Sequence, residues 1–388
     1  MSAPPWRVPL SRPDITEEER QAVLEVLRTP ILSLGEEGSL LEAEFENLLG
    51  VPSALVSSGT AGLYLALRAL GVDGGEVITP SFGFVGTVHA IRLAGARPRF
   101  ADIDPVTLCV SAETIEPIIG DDTRAILPVH IFGTPCPMAE ILELARARAL
   151  PVIEDACEAL GSLSGGHPAG TLGHAGVFAF YPNKQMTTGE GGLVVAPSPE
   201  LVAIVRSMRN QGRGEGEFEF VREGFNFRMT EMQAALGRAQ LRRLGVLLAE
   251  REKRARRYQE ALEGLPGLTT LPPPLDGDQR SWFVFPVFVA DPRWRAPLRD
   301  ALRREGIQTA LYFPPIHGFG VHGGPAPATG ELPVTEAVAA RSFAIPFHSR
   351  IGAAEQDLVA ETLRQALASV AGRGAAPFSL QTLAPERA

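Results

Sequence analysis

The chain has 388 residues, 45% hydrophobic and 21% charged, which is enough to bury a substantial core and more than one typical domain needs. Lys plus Arg total 36 against 45 Asp plus Glu, and a net charge of −9 argues against non-specific binding to nucleic acid or membranes, though not against a local pocket for an anion. The three cysteines form no CxxC pair, no signal-peptide pattern opens the chain and no apolar run reaches spanning length, so a soluble, cytoplasmic protein with reduced thiols is expected.

Residues 1–50 read as a helical lead-in. Thr16 and Glu19 have capping-box spacing, Val23, Val26 and Leu27 form an apolar helical stripe, and a second helix is expected over Leu40–Leu49. Between 54 and 195, short apolar runs at 54–56, 77–79, 97–101, 125–128, 152–154, 177–180 and 193–195 alternate with helical-period segments. Such alternation implies crossover units and a mainly parallel sheet with helices on both faces. Ligands of such sheets lie beyond the carboxyl ends of the strands.

After a helix at Leu201–Arg209, the polar, Gly-rich segment Asn210–Gly224 reads as a mobile loop, and Thr230–Leu262 as long helices that close a large domain of residues 51–265. Pro266–Gln279, dense in Pro and Gly, reads as a linker. A smaller α/β domain is expected over 266–371, with a strand within Ser281–Ala290 and helices at Ala296–Gly306, Thr335–Ser342 and Ala354–Leu367. The Ala-, Gly- and Pro-rich tail 372–388 is expected to be disordered.

Four stretches at strand ends carry chemistry. Val56-Ser-Ser-Gly-Thr60-Ala-Gly62 opens a helix with small residues and hydroxyls, a pattern that serves equally as a phosphate cradle or as a plain helix cap. Pro80-Ser-Phe-Gly-Phe84 offers a ring that can cover a flat heterocycle or pack in the core. Pro151-Val-Ile-Glu154-Asp155 ends an apolar strand with two acids, one available to a pyridinium nitrogen and the other to a helix cap. Finally, Lys184 stands between Pro182 and Gly189 in a loop joining two apolar strands, where desolvation favours the nucleophilic amine that a Schiff base requires. His317 and His322 sit in a Gly/Pro-rich segment with no acidic third ligand nearby, so no metal site is expected.

Together these parts resemble the DegT-type sugar-nucleotide aminotransferases. The matching text is Ser58–Ala61, Glu76–Phe84, Pro128-Val-His130, Ile153–Gly161, Asn183–Gly192 and Gly224–Ala235, within a resemblance running from about 10 to 370. It implies the three-layer α/β/α fold type I of pyridoxal-phosphate (PLP) enzymes. It also implies that Lys184 holds the cofactor and Asp155 faces its ring nitrogen, that Phe84 covers the ring, and that Gly59, Thr60 and the amide of Ala61 hold the phosphate. Asn226 would reach the phosphate of a neighbouring subunit, making a homodimer the active unit, and Arg228 would stand on the same shared wall. Arg213, Tyr312 and His317 are candidates for the acceptor pocket.

The reaction implied is transfer of an amino group from L-glutamate to a nucleoside-diphosphate-linked keto sugar, by the same resemblance a 4-keto-6-deoxy sugar. Two positions depart from the family pattern. Ala179 stands where a phosphate-binding Ser is common, and Glu158 stands where Gln or His commonly lies near the cofactor's phenolic oxygen. Glu158 is therefore expected to be protonated or turned away. Two other readings are a PLP-dependent sugar 3-dehydrase, whose family places His where Lys184 stands, and a regulatory homologue.

Overall fold

The computed structural model describes residues 6–320, 330–371 and 378–383. Helices α1 (Glu17–Leu27) and α2 (Glu36–Leu49) come first, α1 starting at Thr16, whose amide donates to Glu19 Oε2 at 2.7 Å. There follow β1 (Ser53–Val56), α3 (Gly59–Ala69), β2 (Glu76–Pro80), α4 (Gly86–Leu93), β3 (Arg97–Ala101), α5 (Ala112–Ile115), β4 (Thr123–Ile126), α6 (Met138–Ala147) and β5 (Ile153–Asp155). A two-stranded ribbon, β6 (Leu163–Ser164) and β7 (His167–Pro168), precedes β8 (Ala175–Ala179), β9 (Gly192–Val195), α7 (Pro199–Met208), α8 (Glu231–Arg242) and α9 (Leu244–Leu262).

The main sheet runs β3-β2-β4-β5-β8-β9-β1, its two halves joined between β4 and β5 by parallel bridges at Ile126–Val152 and Val129–Asp155. Its apolar strands are buried on both faces, as a sheet covered on both sides requires. Strand β9 lies antiparallel to both β1 and β8, because the tight turn after Lys184 returns the chain without a crossover helix.

The smaller sheet orders β10 (Leu268–Thr270), β11 (Phe285–Val289) and β12 (Ser342–Ile345) antiparallel, with α10 (Arg295–Arg304), α11 (Pro333–Arg341) and α12 (Ala353–Val370) around it. The segment read as a linker thus supplies β10, an edge strand paired through Leu268–Val289. Residues 8–10 also join this part of the molecule: the Val8 amide donates to Gly306 O, and the Phe347 amide to Leu10 O.

Asn210–Gly224 folds as a hydrogen-bonded hairpin, with bridges at Asn210–Asn226 and Arg213–Phe220. Of the tail read as disordered, 372–377 and 384–388 lie outside the described residues. Leu380 within 378–383 is 3% exposed and belongs to the main core, so an apolar anchor holds that piece.

Candidate active site

The loops after β1, β2, β5 and β8 converge on one cavity of about 650 Å³, and Gly59, Thr60, Phe84, Asp155, Glu158, Lys184 and Tyr312 all line it. Ser58, in extended backbone, caps α3 and accepts from the Ala61 amide at 3.1 Å, leaving the first amides of an eleven-residue helix at the cavity wall. Ala61 is buried, does not line the cavity, and has an amide already engaged, so the wall is formed by Ser58, Gly59 and Thr60. Close packing explains the glycine, since a Cβ on Gly59 would lie 2.7 Å from Cys157 Sγ and 2.8 Å from Ala179 Cβ. Ala179 therefore packs directly beneath this turn.

Strand alternation separates the two acids at the end of β5. Asp155 lines the cavity, its Oδ2 accepting from Thr87 Oγ1 at 2.6 Å and its Oδ1 from the Cys157 amide at 3.1 Å. Glu154 points to the other side, where it accepts from the amides of Gly170 (2.8 Å), Leu172 (2.7 Å) and Gly173 (2.6 Å). Its Oε2 lies 2.8 Å from His130 Nε2. Because His130 Nδ1 accepts from the Cys136 amide, Nε2 carries the ring proton and donates it to Glu154.

Lys184 is held with its Nζ 3.7 Å from Glu158 Oε1 and 3.9 Å from the centroid of the Phe283 ring. Glu158 is not turned away. Its second oxygen accepts from the Phe132 amide at 2.9 Å, and burial, opposed by the Lys184 ammonium and that amide, raises its pKa above the ordinary carboxylate range. The side chain faces the lysine. Phe84 stands at the lip, 62% exposed, with its ring centroid 6.4 Å from that of Phe313. Tyr312 accepts from Asn183 Nδ2 at 3.2 Å; burial, with the charge of Glu158, pushes its phenol up to about 12.

Four further candidates, besides Ala61, fall outside this cavity. Arg213 folds onto its own hairpin, donating to Glu217 O at 3.0 Å with its guanidinium over Phe220. Arg228 donates to Asn210 Oδ1 at 2.9 Å, and Asn226 is exposed beside it. His317 is a fastening rather than a pocket residue: its Nδ1 lies 2.7 Å from Ser81 Oγ at the end of β2, and its Nε2 3.8 Å from Glu336. His322 lies outside the described residues, and among the described residues no group of His, Cys, Asp and Glu is arranged to hold a metal ion.

The sequence reading passed over Thr87, Tyr181 and Phe283, all of which line the cavity, as does Phe313 beside the candidate Tyr312. Thr87 carried a usable signal, since it lies in the first turn of the helix that follows the Phe84 loop. Phe283 carried no local signal, and only tertiary folding brings it against the Lys184 loop.

A family model described as the DegT/DnrJ/EryC1/StrS aminotransferase family matches residues 13–364. The chain is 35% identical over 369 residues to the GDP-perosamine synthase of Caulobacter vibrioides, covering 93% of this chain and 98% of that one. Among solved structures it resembles the aminotransferase TlmJ from Streptoalloteichus hindustanus, with a TM-score of 0.89 and 33% identity over 94% of this chain and 99% of the other. Helicobacter pylori PseC, an aminotransferase involved in the biosynthesis of pseudoaminic acid, superposes with a TM-score of 0.87 at 27% identity over 93% and 99% of the two chains. The chain belongs to the DegT/DnrJ/EryC1/StrS aminotransferase family.

Proposed function

We propose that this aminotransferase uses pyridoxal 5'-phosphate to move an amino group from L-glutamate to a nucleoside-diphosphate-linked keto sugar, a 4-keto-6-deoxy sugar, and that it works in the cytoplasm as a homodimer. The observation that carries the proposal is the convergence of Lys184 and Asp155 on one cavity whose wall also holds the amino end of α3. The residues present fit the cofactor. Lys184 offers the amine for covalent attachment, Asp155 a carboxylate for the ring nitrogen, Ser58 to Thr60 a helix start for the phosphate, and Phe84 an uncovered ring for the heterocycle. When bound, the cofactor supplies an electron sink for charge developing at the donor's α-carbon.

The chain's own groups then have definable tasks. Thr87 and the Cys157 amide orient Asp155. The Nζ of Lys184 moves the proton of the donor's α-carbon as general base, held at its place by Glu158 and Phe283. Tyr181, Phe313 and Phe319 add rings to the cavity wall. Asn226, exposed and outside its own protomer's cavity, is free to reach a partner's cofactor phosphate. The named activity of the Caulobacter relative supports a nucleotide-linked sugar acceptor.

The test is spectroscopic. Purified protein supplied with cofactor turns yellow and bleaches with L-glutamate, and Lys184→Ala loses both responses. A panel of nucleotide-linked keto sugars, assayed for glutamate-dependent turnover, then identifies the acceptor. Wild-type protein that stays colourless with added cofactor would overturn the proposal.

A further inference from the structure

We infer that Arg251 is the positioning residue for Lys184: one buried guanidinium ties the backbone carrying the lysine to the segment carrying the ring beneath its ammonium group. This rests on the role proposed for Lys184. Arg251, on α9, is 4% exposed. Its Nη2 donates to the carbonyls of Asn183 (3.2 Å) and Lys184 (2.7 Å). Its Nη1 donates to the carbonyls of Trp282 (3.3 Å) and Phe283 (3.0 Å). Among the described residues no ion pair joins it to a carboxylate, and burial, opposed by the charge of Asp14, lowers its pKa to about 10, which leaves it charged at neutral pH.

A buried cation without a carboxylate is costly, so its four backbone acceptors call for a reason. They belong to two segments about a hundred residues apart in the sequence, and those segments meet at the reactive amine. Asn183 and Lys184 form the turn that presents Nζ, while Phe283 supplies the ring 3.9 Å away. A planar fork can reach both pairs of carbonyls at once; an ammonium group cannot. Gln185 closes the other side of the same turn, donating to the Glu158 carbonyl at 2.6 Å and to Ser281 Oγ at 3.0 Å. The lysine's backbone is thus gripped from two directions, and the amine has little freedom to leave Phe283 and Glu158.

The sequence makes this testable without turnover, because Lys184 and Lys253 are its two lysines, and Lys253 is exposed. Cofactor-free wild type, Arg251→Lys and Arg251→Met are acylated at one fixed pH, and the labelling of Lys184 is measured relative to Lys253 by peptide mass. Both variants should raise that ratio by at least about fivefold as the turn loosens. After reconstitution with pyridoxal 5'-phosphate, both should also move the pH midpoint of the yellow colour. Arg251→Lys keeps the charge but not the fork, so its failure to rescue separates positioning from electrostatics.

Folded variants that melt lower yet keep the wild-type ratio and midpoint would reduce Arg251 to a fold-stabilising residue. Should neither Arg251 variant fold, Phe283→Leu keeps the fork and removes the ring; an unchanged Lys184 ratio there overturns the inference as well. Wild type that takes up no cofactor defeats the functional proposal, whereas the labelling ratio still decides the role of Arg251.

Discussion

Lys184 and Glu158 face each other across 3.7 Å inside the cavity, and both side chains are almost wholly withdrawn from solvent. The pair is unequal. Burial outweighs the attraction of the ammonium, so the carboxyl binds its proton more tightly in the folded chain than in the unfolded one. Its contribution to stability is complete below the ordinary carboxylate range and is lost as pH rises through the raised value.

At neutral pH, therefore, Glu158 costs the cofactor-free protein stability that a glutamine would not. Glu158→Gln is expected to melt about 1–3 °C higher than wild type at pH 7–8, with the difference vanishing toward pH 4. Calorimetric or fluorescence melting across that range checks it. A variant that melts lower at pH 8 would mean that the ion pair outweighs the burial of its carboxylate.

The adjacent acids of β5 should respond to substitution in opposite ways. Glu154 answers three backbone amides and His130 in a fully buried site, so Glu154→Ala strands all four donors and should cost about 3–5 kcal/mol. Asp155→Asn keeps the shape and most of the hydrogen bonding. It should leave the melting temperature nearly unchanged while turnover falls about 10²–10³-fold, the scale for removing a preorganised charge from an active site. Denaturant melts and glutamate half-reaction rates on the two variants separate the roles.

The strand-end positions were legible because local chemistry dictates them. A lysine between Pro182 and Gly189, an acid ending an apolar strand and a Ser-Gly-Thr helix start each take their place from a few neighbouring residues. What could not be read depends on distant partners. His317 has the look of a pocket residue until Ser81, 236 positions earlier, is seen to bond it. Arg213 reads as an acceptor-pocket residue, yet Phe220 and Glu217 of its own hairpin take up its guanidinium. The Pro-rich segment after 266 hides β10, because a short edge strand tolerates flanking prolines that a central strand would not.

Gly59 sets a packing limit on the cavity wall. In Gly59→Ala the new methyl meets Cys157 Sγ and Ala179 Cβ at under 3 Å, and the alanine methyl has no rotamer by which to give way. Overpacking of this kind costs about 1–3 kcal/mol. Relief comes most easily by displacing the amino end of α3, so cofactor affinity should fall about tenfold while Asp155 and Lys184 keep their geometry. Equilibrium titration with pyridoxal 5'-phosphate measures the loss, and Gly59→Ala combined with Cys157→Ala should recover part of it.

The N-terminal helix reaches the lysine loop through a chain of hydrogen bonds. Gln240 of α8 donates to Glu19 Oε1 at 2.7 Å, and its own oxygen accepts from the Thr187 amide at 3.3 Å, in the turn that follows Lys184. Burial alone would raise the Glu19 carboxyl. Hydrogen bonds from Thr16, Arg243 and Gln240 outweigh it and bring the value down to about 2. The sign is opposite to that of Glu158: this stability is present above the ordinary value of 4.5 and is lost as pH falls toward 2. Glu19→Gln should therefore cost about 1–3 kcal/mol at pH 7, and its melting curve should converge on that of wild type between pH 4.5 and 2. Because Thr187 loses its partner when Gln240 shifts, acylation of Lys184 in the cofactor-free variant should also quicken at pH 7. A variant that melts lower but labels at the wild-type rate would show that α1 stabilises α8 without reaching the reactive loop.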